Sequence, residues 1–130
     1  MTIRRFSSGG PWEDVIGYSR LVVAGPWALT AGCTSTVDGR VSHVDDAYGQ
    51  AREAFGIALA ALGQAGVGAE RVVRTRMYVT DISLADDVGR AHAELFGDVR
   101  PVATMVEVSR LAHRDHLVEV EVEAYMGEGS

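Results

Sequence analysis

The side chains with the clearest chemical potential are carboxylates that recur at every second position near the end of the chain. Residues 117–126 alternate between polar and apolar types, as a strand with two unlike faces does. One of those faces carries Glu119, Glu121 and Glu123. Residues 72–80 predict a second strand, one face of which carries Arg74, Arg76 and Tyr78. Such a surface is either solvated, as charged faces usually are, or an ion-paired interface between subunits.

Histidines are the next candidates, as ligands for a metal. They are His43, His92, His113 and His116. The last two have a spacing that suits one face of a helix, but they fall in the segment predicted to join the final two strands. No cluster of cysteines or carboxylates accompanies them, so the sequence predicts no zinc site and no other cofactor. His92 falls on a predicted helix, where we expect a solvated side chain and not a catalytic one.

The single cysteine, Cys33, could act as a nucleophile together with a distant histidine. A lone cysteine just past a strand is more typical of a small packed residue, and it can still line a pocket there. No Gly-x-Ser-x-Gly segment is present, so a serine hydrolase has no support. Residues 63–68 are rich in glycine but follow a predicted helix, which indicates a helix stop and not a phosphate-binding loop.

Length and charge limit the class of protein. The 130 residues, of which 47% are hydrophobic, predict a single domain over residues 1–130 that needs no disulfide or metal to fold. The net charge of −6 argues against a nucleic-acid partner, which requires clustered lysine and arginine. No apolar run reaches the roughly 20 residues of a membrane span, and none follows the N-terminal arginines. With one cysteine as well, we expect a cytoplasmic protein without a membrane partner.

The first part of the chain is predicted to be β-structure. After a short opening strand, residues 20–24 and 27–31 are apolar β-formers that predict a hairpin around Gly25-Pro26. Asp38-Gly39 predicts a further turn.

Helical spacing of apolar residues then appears twice, over residues 47–62 and 84–96. The candidate N-caps are Asp45 or Asp46 for the first helix, and Asp81 or Ser83 for the second. Between the helices, strict alternation puts Val72 on the arginine face of its strand and Val73 on the opposite face. Residues 103–108 and 117–126 predict the last two strands. The order is therefore β-β-β-α-β-α-β-β, an α+β domain with a mixed sheet and two helices on one face.

Several stretches in this order resemble the RidA (YjgF) superfamily, whose older label is L-PSP endoribonuclease. The stretches are residues 16–20 (IGYSR), 29–32 (LTAG), 50–62, 72–81 (VVRTRMYVTD), 100–108 (RPVATMVEV) and 117–121 (LVEVE). They cover nearly the whole chain, and their order and spacing together are specific. The resemblance implies a sandwich like that of the bacterial chorismate mutases, assembled as a homotrimer with its sheets inward and small-molecule pockets between subunits. It thereby favours the interface over the solvated surface for the charged face.

The same resemblance implies a set of site residues. Glu119 matches the glutamate that positions or activates the hydrolytic water in deaminase members, and Tyr18 matches a tyrosine of the pocket. The arginine that grips the substrate carboxylate is replaced by Ala103, while Ala31 and Gly89 replace a serine and an asparagine. Cys33 and Met105 are further expected to line the pocket. Arg76 either supplies an anion contact from a neighbouring strand or forms an ion pair with the glutamates.

Two functions follow from this altered pocket. The first is hydrolysis of an enamine or imine other than a simple 2-imino acid, since a methyl group cannot replace a guanidinium that binds a carboxylate. The second is a catalytically silent trimer that binds a small metabolite or a protein. Ribonuclease activity, which the older family label suggests, is disfavoured by the net charge of −6.

Overall fold

The computed structural model describes residues 2–128, which form one layered α+β unit. The strands of its six-stranded sheet are β1 (Ile3–Phe6), β2 (Leu21–Ala24), β3 (Trp27–Thr30), β6 (Val72–Val79), β7 (Val102–Glu107) and β8 (Val118–Tyr125). They lie in the order β1-β2-β3-β8-β6-β7, and all neighbours are antiparallel except the parallel pair β6 and β7. The helices are α1 (Ala47–Gln64) and α2 (Ala85–Phe96). The predicted order of strands and helices is confirmed for this sheet.

Two local elements add to that order. A small separate hairpin, β4 (Thr36–Val37) and β5 (Arg40–Val41), turns through Asp38 and Gly39, whose φ angles are 52° and 77°. Positive φ at both central residues is what such a tight hairpin requires, and Asp-Gly accommodates it. Glu13–Gly17 forms a single π-helical turn in a segment where no regular structure was predicted.

The core lies between the two helices and one face of the sheet, which we call the inner face. On β8 that face carries Val118, Val120, Val122 and Ala124, all fully buried. Phe55 of α1 and Phe96 of α2 meet edge to face, with ring centroids 5.3 Å apart. Within residues 2–128, no helix lies over the opposite, outer face of the sheet, and β8 presents its three glutamates there.

Two details correct the sequence predictions. Val72 is buried and Val73 exposed, the reverse of strict alternation, because the pairing of β6 with β8 shifts register between Val72 and Arg74. His92 is half-buried and not fully solvated. Its ring packs against Phe55 and Phe96, and its Nε2 lies 2.8 Å from the Thr75 hydroxyl. Burial holds the pKa of His92 below its ordinary value.

The helix caps and one buried amide fix the remaining connections. Asp46 accepts a hydrogen bond from the Gly49 amide at 2.9 Å and caps α1, and Asp81 caps the turn that leads into α2. The side chain of Gln50 is fully buried, and it donates to the Asp115 carbonyl and accepts from the Leu117 amide, each at 2.8 Å. These bonds tie α1 to the start of β8 and so hold the strand that carries the candidate site. Among residues 2–128, no helix has the length and apolar character needed to cross a membrane.

Candidate functional site

Glu119 lies near the start of β8 on the outer face, where it pairs across the ladder with Tyr78 of β6. Its carboxylate packs directly against the backbone of Gly32, which follows β3. A Cβ atom at Gly32 would overlap the carboxylate and come within 2.9 Å of its Cδ. Any larger residue at position 32 would force the carboxylate to rotate away, so the observed position of Glu119 depends on the glycine, and the two residues form a single packed unit.

The Glu119 carboxylate is half-buried and receives no hydrogen bond or ion pair from residues 2–128. Burial raises its pKa above the ordinary value, and the nearby charge of Glu121 raises it further. The positive charge of Arg20 acts in the opposite direction and does not outweigh them. When ionised, a desolvated carboxyl with a raised pKa is a stronger base than an ordinary glutamate, as a residue that accepts a proton from water requires.

Arg20 borders this unit from the residue just before β2. Its Nη1 donates to the Gly32 carbonyl at 2.7 Å and lies 3.5 Å from the Cys33 sulfur. Its Nη2 donates to the Tyr18 hydroxyl at 3.3 Å, and the guanidinium also lies over the Tyr18 ring. Tyr18 and Glu119, two of the predicted site residues, are thus linked through Arg20 and Gly32.

Cys33 is buried in the core, with 1% of its surface exposed. Its backbone pairs with Val120 of β8 through bonds of 2.8 Å and 2.9 Å. Burial raises the pKa of the thiol, although Arg20 lies beside it. A buried, protonated thiol is a poor nucleophile, so the structure favours the packed role for Cys33.

The other two glutamates of β8 have partners on β6. Tyr78 donates to Glu121 at 2.6 Å, and Arg76 forms an ion pair with Glu123 at 2.6 Å. Arg76 lies 3.9 Å from Glu121 as well. Of the two roles predicted for Arg76, the ion pair with the glutamates is therefore present. The alternating pattern of the strand gives the three glutamates the same direction, but their environments differ. Among residues 2–128, only Glu119 lacks a hydrogen-bond or ion-pair partner.

The remaining predicted pocket residues are not all brought together within one chain. Ala31 is half-buried beside Arg20, with its amide donating to the Arg20 carbonyl. Ala103 and Met105 pair with inward-facing residues of β6, so their side chains lie on the inner side of the edge strand β7, opposite to the side of Glu119. Gly89 lies on α2. The pocket-lining role of these last three residues stays a prediction.

Sequence reasoning missed Arg20, Gly32 and Glu13 as parts of this site. Glu13 is buried, accepts from the amide and the hydroxyl of Ser8, and lies 3.8 Å from Nε of Arg20. A single glutamate outside the predicted strands and helices carries no sequence signal for such a role. The sequence feature that could have indicated this role is the arginine that directly follows Tyr18-Ser19. A guanidinium at the start of a strand must either face solvent or be paired with an acceptor inside the protein.

No group of three or more potential metal ligands clusters anywhere in the described residues. His113 and His116 approach each other, with ring centroids 5.6 Å apart, but His116 is buried and its Nε2 lies 2.8 Å from the Thr36 hydroxyl. The histidines thus have local packing or hydrogen-bonding environments and form no shared site.

Comparison with known proteins places this arrangement in a family. The model of the endoribonuclease L-PSP family matches residues 12–126. An uncharacterized protein of Streptomyces coelicolor is 43% identical, with 96% of this chain and 93% of the relative covered. A RutC family protein of Pyrococcus horikoshii is 31% identical, with coverage of 92% and 94%.

Solved structures agree with that match. The crystal structure of Rv2704 from Mycobacterium tuberculosis, described as a member of the YjgF/YER057c/UK114 family, is 45% identical and superposes with a TM-score of 0.87. The alignment covers 95% of this chain and 99% of that one. The resemblance inferred from the sequence is thereby confirmed, and the chain belongs to the endoribonuclease L-PSP (YjgF, RidA) family.

Proposed function

We propose that this protein hydrolyses a small imine or enamine, with Glu119 as the residue that activates water. The observation that carries the proposal is the environment of Glu119: a half-buried carboxyl with a raised pKa and no partner in the described chain, on a face that no helix covers. Folding alone does not favour such a group, and perturbed carboxyls of this kind concentrate at functional sites.

The chemistry balances without a cofactor. The ionised Glu119 accepts a proton from water, and the water oxygen bonds to the imine carbon. The protonated Glu119 returns this proton to nitrogen, which gives a carbinolamine. The hydroxyl proton of the carbinolamine then passes to nitrogen through Glu119, the carbon–nitrogen bond breaks, and the amine or ammonia leaves as the carbonyl forms. An enamine enters this sequence after a proton is added to its carbon, which converts it to the imine. General acid–base assistance of this type contributes about 10²- to 10⁴-fold to a rate.

The substrate is proposed to lack the carboxylate of ordinary 2-imino acids. Ala103 stands where deaminase relatives are expected to carry the arginine that binds that group, and Arg76 is held by Glu123 at 2.6 Å. Arg20 already donates to Gly32 and Tyr18. None of these three positions therefore provides a guanidinium whose two nitrogen donors are both available to bind a carboxylate.

A homotrimer is part of the proposal, with the outer face turned toward other copies and the ligand bound between them. The support is apolar exposure on that face, where Trp27 and Leu29 of β3 are 44% and 39% exposed and Val102 of the edge strand β7 is 59% exposed. Static light scattering is expected to give three times the 13.9 kDa chain mass. A monomer at micromolar concentration would contradict the assembly and the cleft together.

The function is tested with two matched sources of imine. An amine oxidase generates imines without a carboxylate, and an amino-acid oxidase generates 2-imino acids. We expect this protein to accelerate decay of the first class and to act poorly on the second. Glu119→Gln is expected to lower the rate by about 10²-fold or more. Glu123→Gln, which changes a carboxylate of the same strand held by arginines, serves as the control and retains most of the rate.

The alternative is a trimer that binds a metabolite without turning it over, favoured by the alanine at position 103. A thermal-shift screen separates the two functions, because a ligand of the native state raises the melting temperature whether or not it reacts. Ligands that stabilise the protein and stay unchanged, together with no acceleration of the decay of either imine class, would show that the protein binds its ligand without hydrolysing it.

A further inference from the structure

Arg20 stands out among the arginines of the described chain because it is largely buried and contacts several parts of the site at once. Its side chain is 13% exposed, and its Nε is buried without a hydrogen-bond acceptor. By contrast, Arg52 of α1 is 45% exposed and pairs with Glu94 on the surface. Burying a guanidinium is costly unless the structure uses its charge and its donors.

The position of Arg20 is enforced from the N-terminal side. Glu13 lies 3.8 Å from Nε and is itself anchored by the amide and hydroxyl of Ser8. Burial raises the pKa of Glu13, but the hydrogen bonds from Ser8 and Ser7 and the charge of Arg20 outweigh that effect and leave it lowered. Glu13 is therefore ionised at neutral pH and fixes one edge of the guanidinium.

The other edge of Arg20 points into the site. Nη1 donates to the Gly32 carbonyl, whose residue packs against the Glu119 carboxylate, and Nη2 donates to the Tyr18 hydroxyl. The charged and titratable groups near Glu119 are Glu121 on its own strand, Tyr78 on β6, Cys33 after β3, and Arg20. Arg20 is the cation in this set.

We infer that Arg20 is a positioning residue of the Glu119 site, which fixes the Tyr18 hydroxyl and the Gly32 backbone and supplies the positive charge that keeps Glu119 able to ionise. This inference deepens the proposed function and rests on it for its catalytic meaning. The physical reason is that burial and Glu121 both disfavour the carboxylate form, which is the form that accepts a proton from water. Without Arg20 a larger fraction of Glu119 would be protonated at neutral pH and inactive as a base.

The test compares Arg20→Gln, Arg20→Lys and Glu13→Gln, with Arg52→Gln as a matched arginine control. The pKa of Glu119 is measured from the pH dependence of its side-chain carboxyl ¹³C shift, after a ¹H–¹⁵N spectrum has confirmed that each variant is folded. We expect Arg20→Gln to raise the pKa of Glu119 and Arg20→Lys to restore it toward the wild-type value. Glu13→Gln keeps the cation and an uncharged oxygen of the same shape beside Nε of Arg20, so it is expected to leave the pKa of Glu119 unchanged or to lower it.

Turnover of the carboxylate-free imine is the second measurement. Arg20→Gln is expected to lower the rate on the order of 10- to 100-fold and to shift the rising limb of the pH profile to higher pH, since misplaced groups and a protonated base both slow the reaction. Arg20→Lys is expected to recover the pH profile but only part of the rate. An ammonium group lacks the two separate nitrogen donors with which the guanidinium contacts Gly32 and Tyr18. Arg52→Gln is expected to change neither quantity.

The outcomes separate this inference from the proposed function. An unchanged Glu119 pKa in folded Arg20→Gln would overturn the inference, whatever the turnover. If Arg20→Gln alters the Glu119 pKa but Glu119→Gln does not alter imine decay, the electrostatic link stands and the hydrolytic function fails. Equal effects of Glu13→Gln and Arg20→Gln on the pKa would reduce Arg20 to a structural anchor and overturn the inference as well.

Discussion

The inner and outer faces of β8 are defined by the same alternating pattern, but they differ in how their side chains are packed and paired. On the inner face every valine is fully buried against helices of the same chain, so its contacts are complete. On the outer face Glu121 and Glu123 find partners on β6, whereas Glu119 finds none among the described residues. The inner face therefore stabilises the fold, whereas the outer face leaves one desolvated carboxylate without a partner among the described residues.

The largest expected effect comes from breaking the inner face. Phe55→Ala removes a fully buried ring that packs between α1, α2 and the sheet, and it should cost about 3–5 kcal/mol of unfolding free energy. Val106→Ala, at a 42% exposed position of β7, should cost less than about 1 kcal/mol in the isolated chain. Chemical denaturation measures both. A cost of Val106→Ala that grows with protein concentration would show that another copy covers the outer face.

A smaller effect is expected where the backbone meets the site. Gly32→Ala puts a methyl group into the space of the Glu119 carboxylate, and such overpacking typically costs about 1–3 kcal/mol. Gly56→Ala in α1 is the control, because a Cβ at this position would meet nothing within 4 Å. This substitution should stabilise the helix by up to about 1 kcal/mol. Thermal unfolding of the two variants compares them. Equal melting temperatures would mean that Glu119 moves aside without cost.

The smallest expected effect on stability is that of Glu119→Gln, and its sign is positive. The folded state raises the pKa of Glu119, so the folded protein binds a proton more readily than the unfolded chain, and ionisation works against folding. The advantage of glutamine should thus be absent below the ordinary pKa of glutamate and appear as the pH rises through the raised value. Melting temperatures of both proteins across that range test it, and a glutamine variant less stable at neutral pH would show that Glu119 is structural.

The sequence alone determined the fold to a large extent, because periodicity records which side of each element is buried. The alternation of residues 117–126, the helical spacing over 47–62 and the Asp-Gly turn each have a local physical cause and appear as predicted. Even the family could be recognised from the order of short segments. The burial predicted for Val72 and Val73 was wrong for an equally definite reason. A register shift between paired strands cannot be detected in the residue pattern of either strand alone.

The tertiary structure decided which of three equivalent glutamates is chemically distinct. Alternation gives Glu119, Glu121 and Glu123 the same direction, and only the neighbours brought by other strands distinguish them. The link from Glu13 through Arg20 to Gly32 joins residues from three separated parts of the chain, so no local pattern could reveal it. Burial of His92 was likewise decided by the rings of Phe55 and Phe96 that surround it. Sequence periodicity fixes the face on which a side chain lies, whereas its charge state depends on desolvation and on partners that only folding brings together.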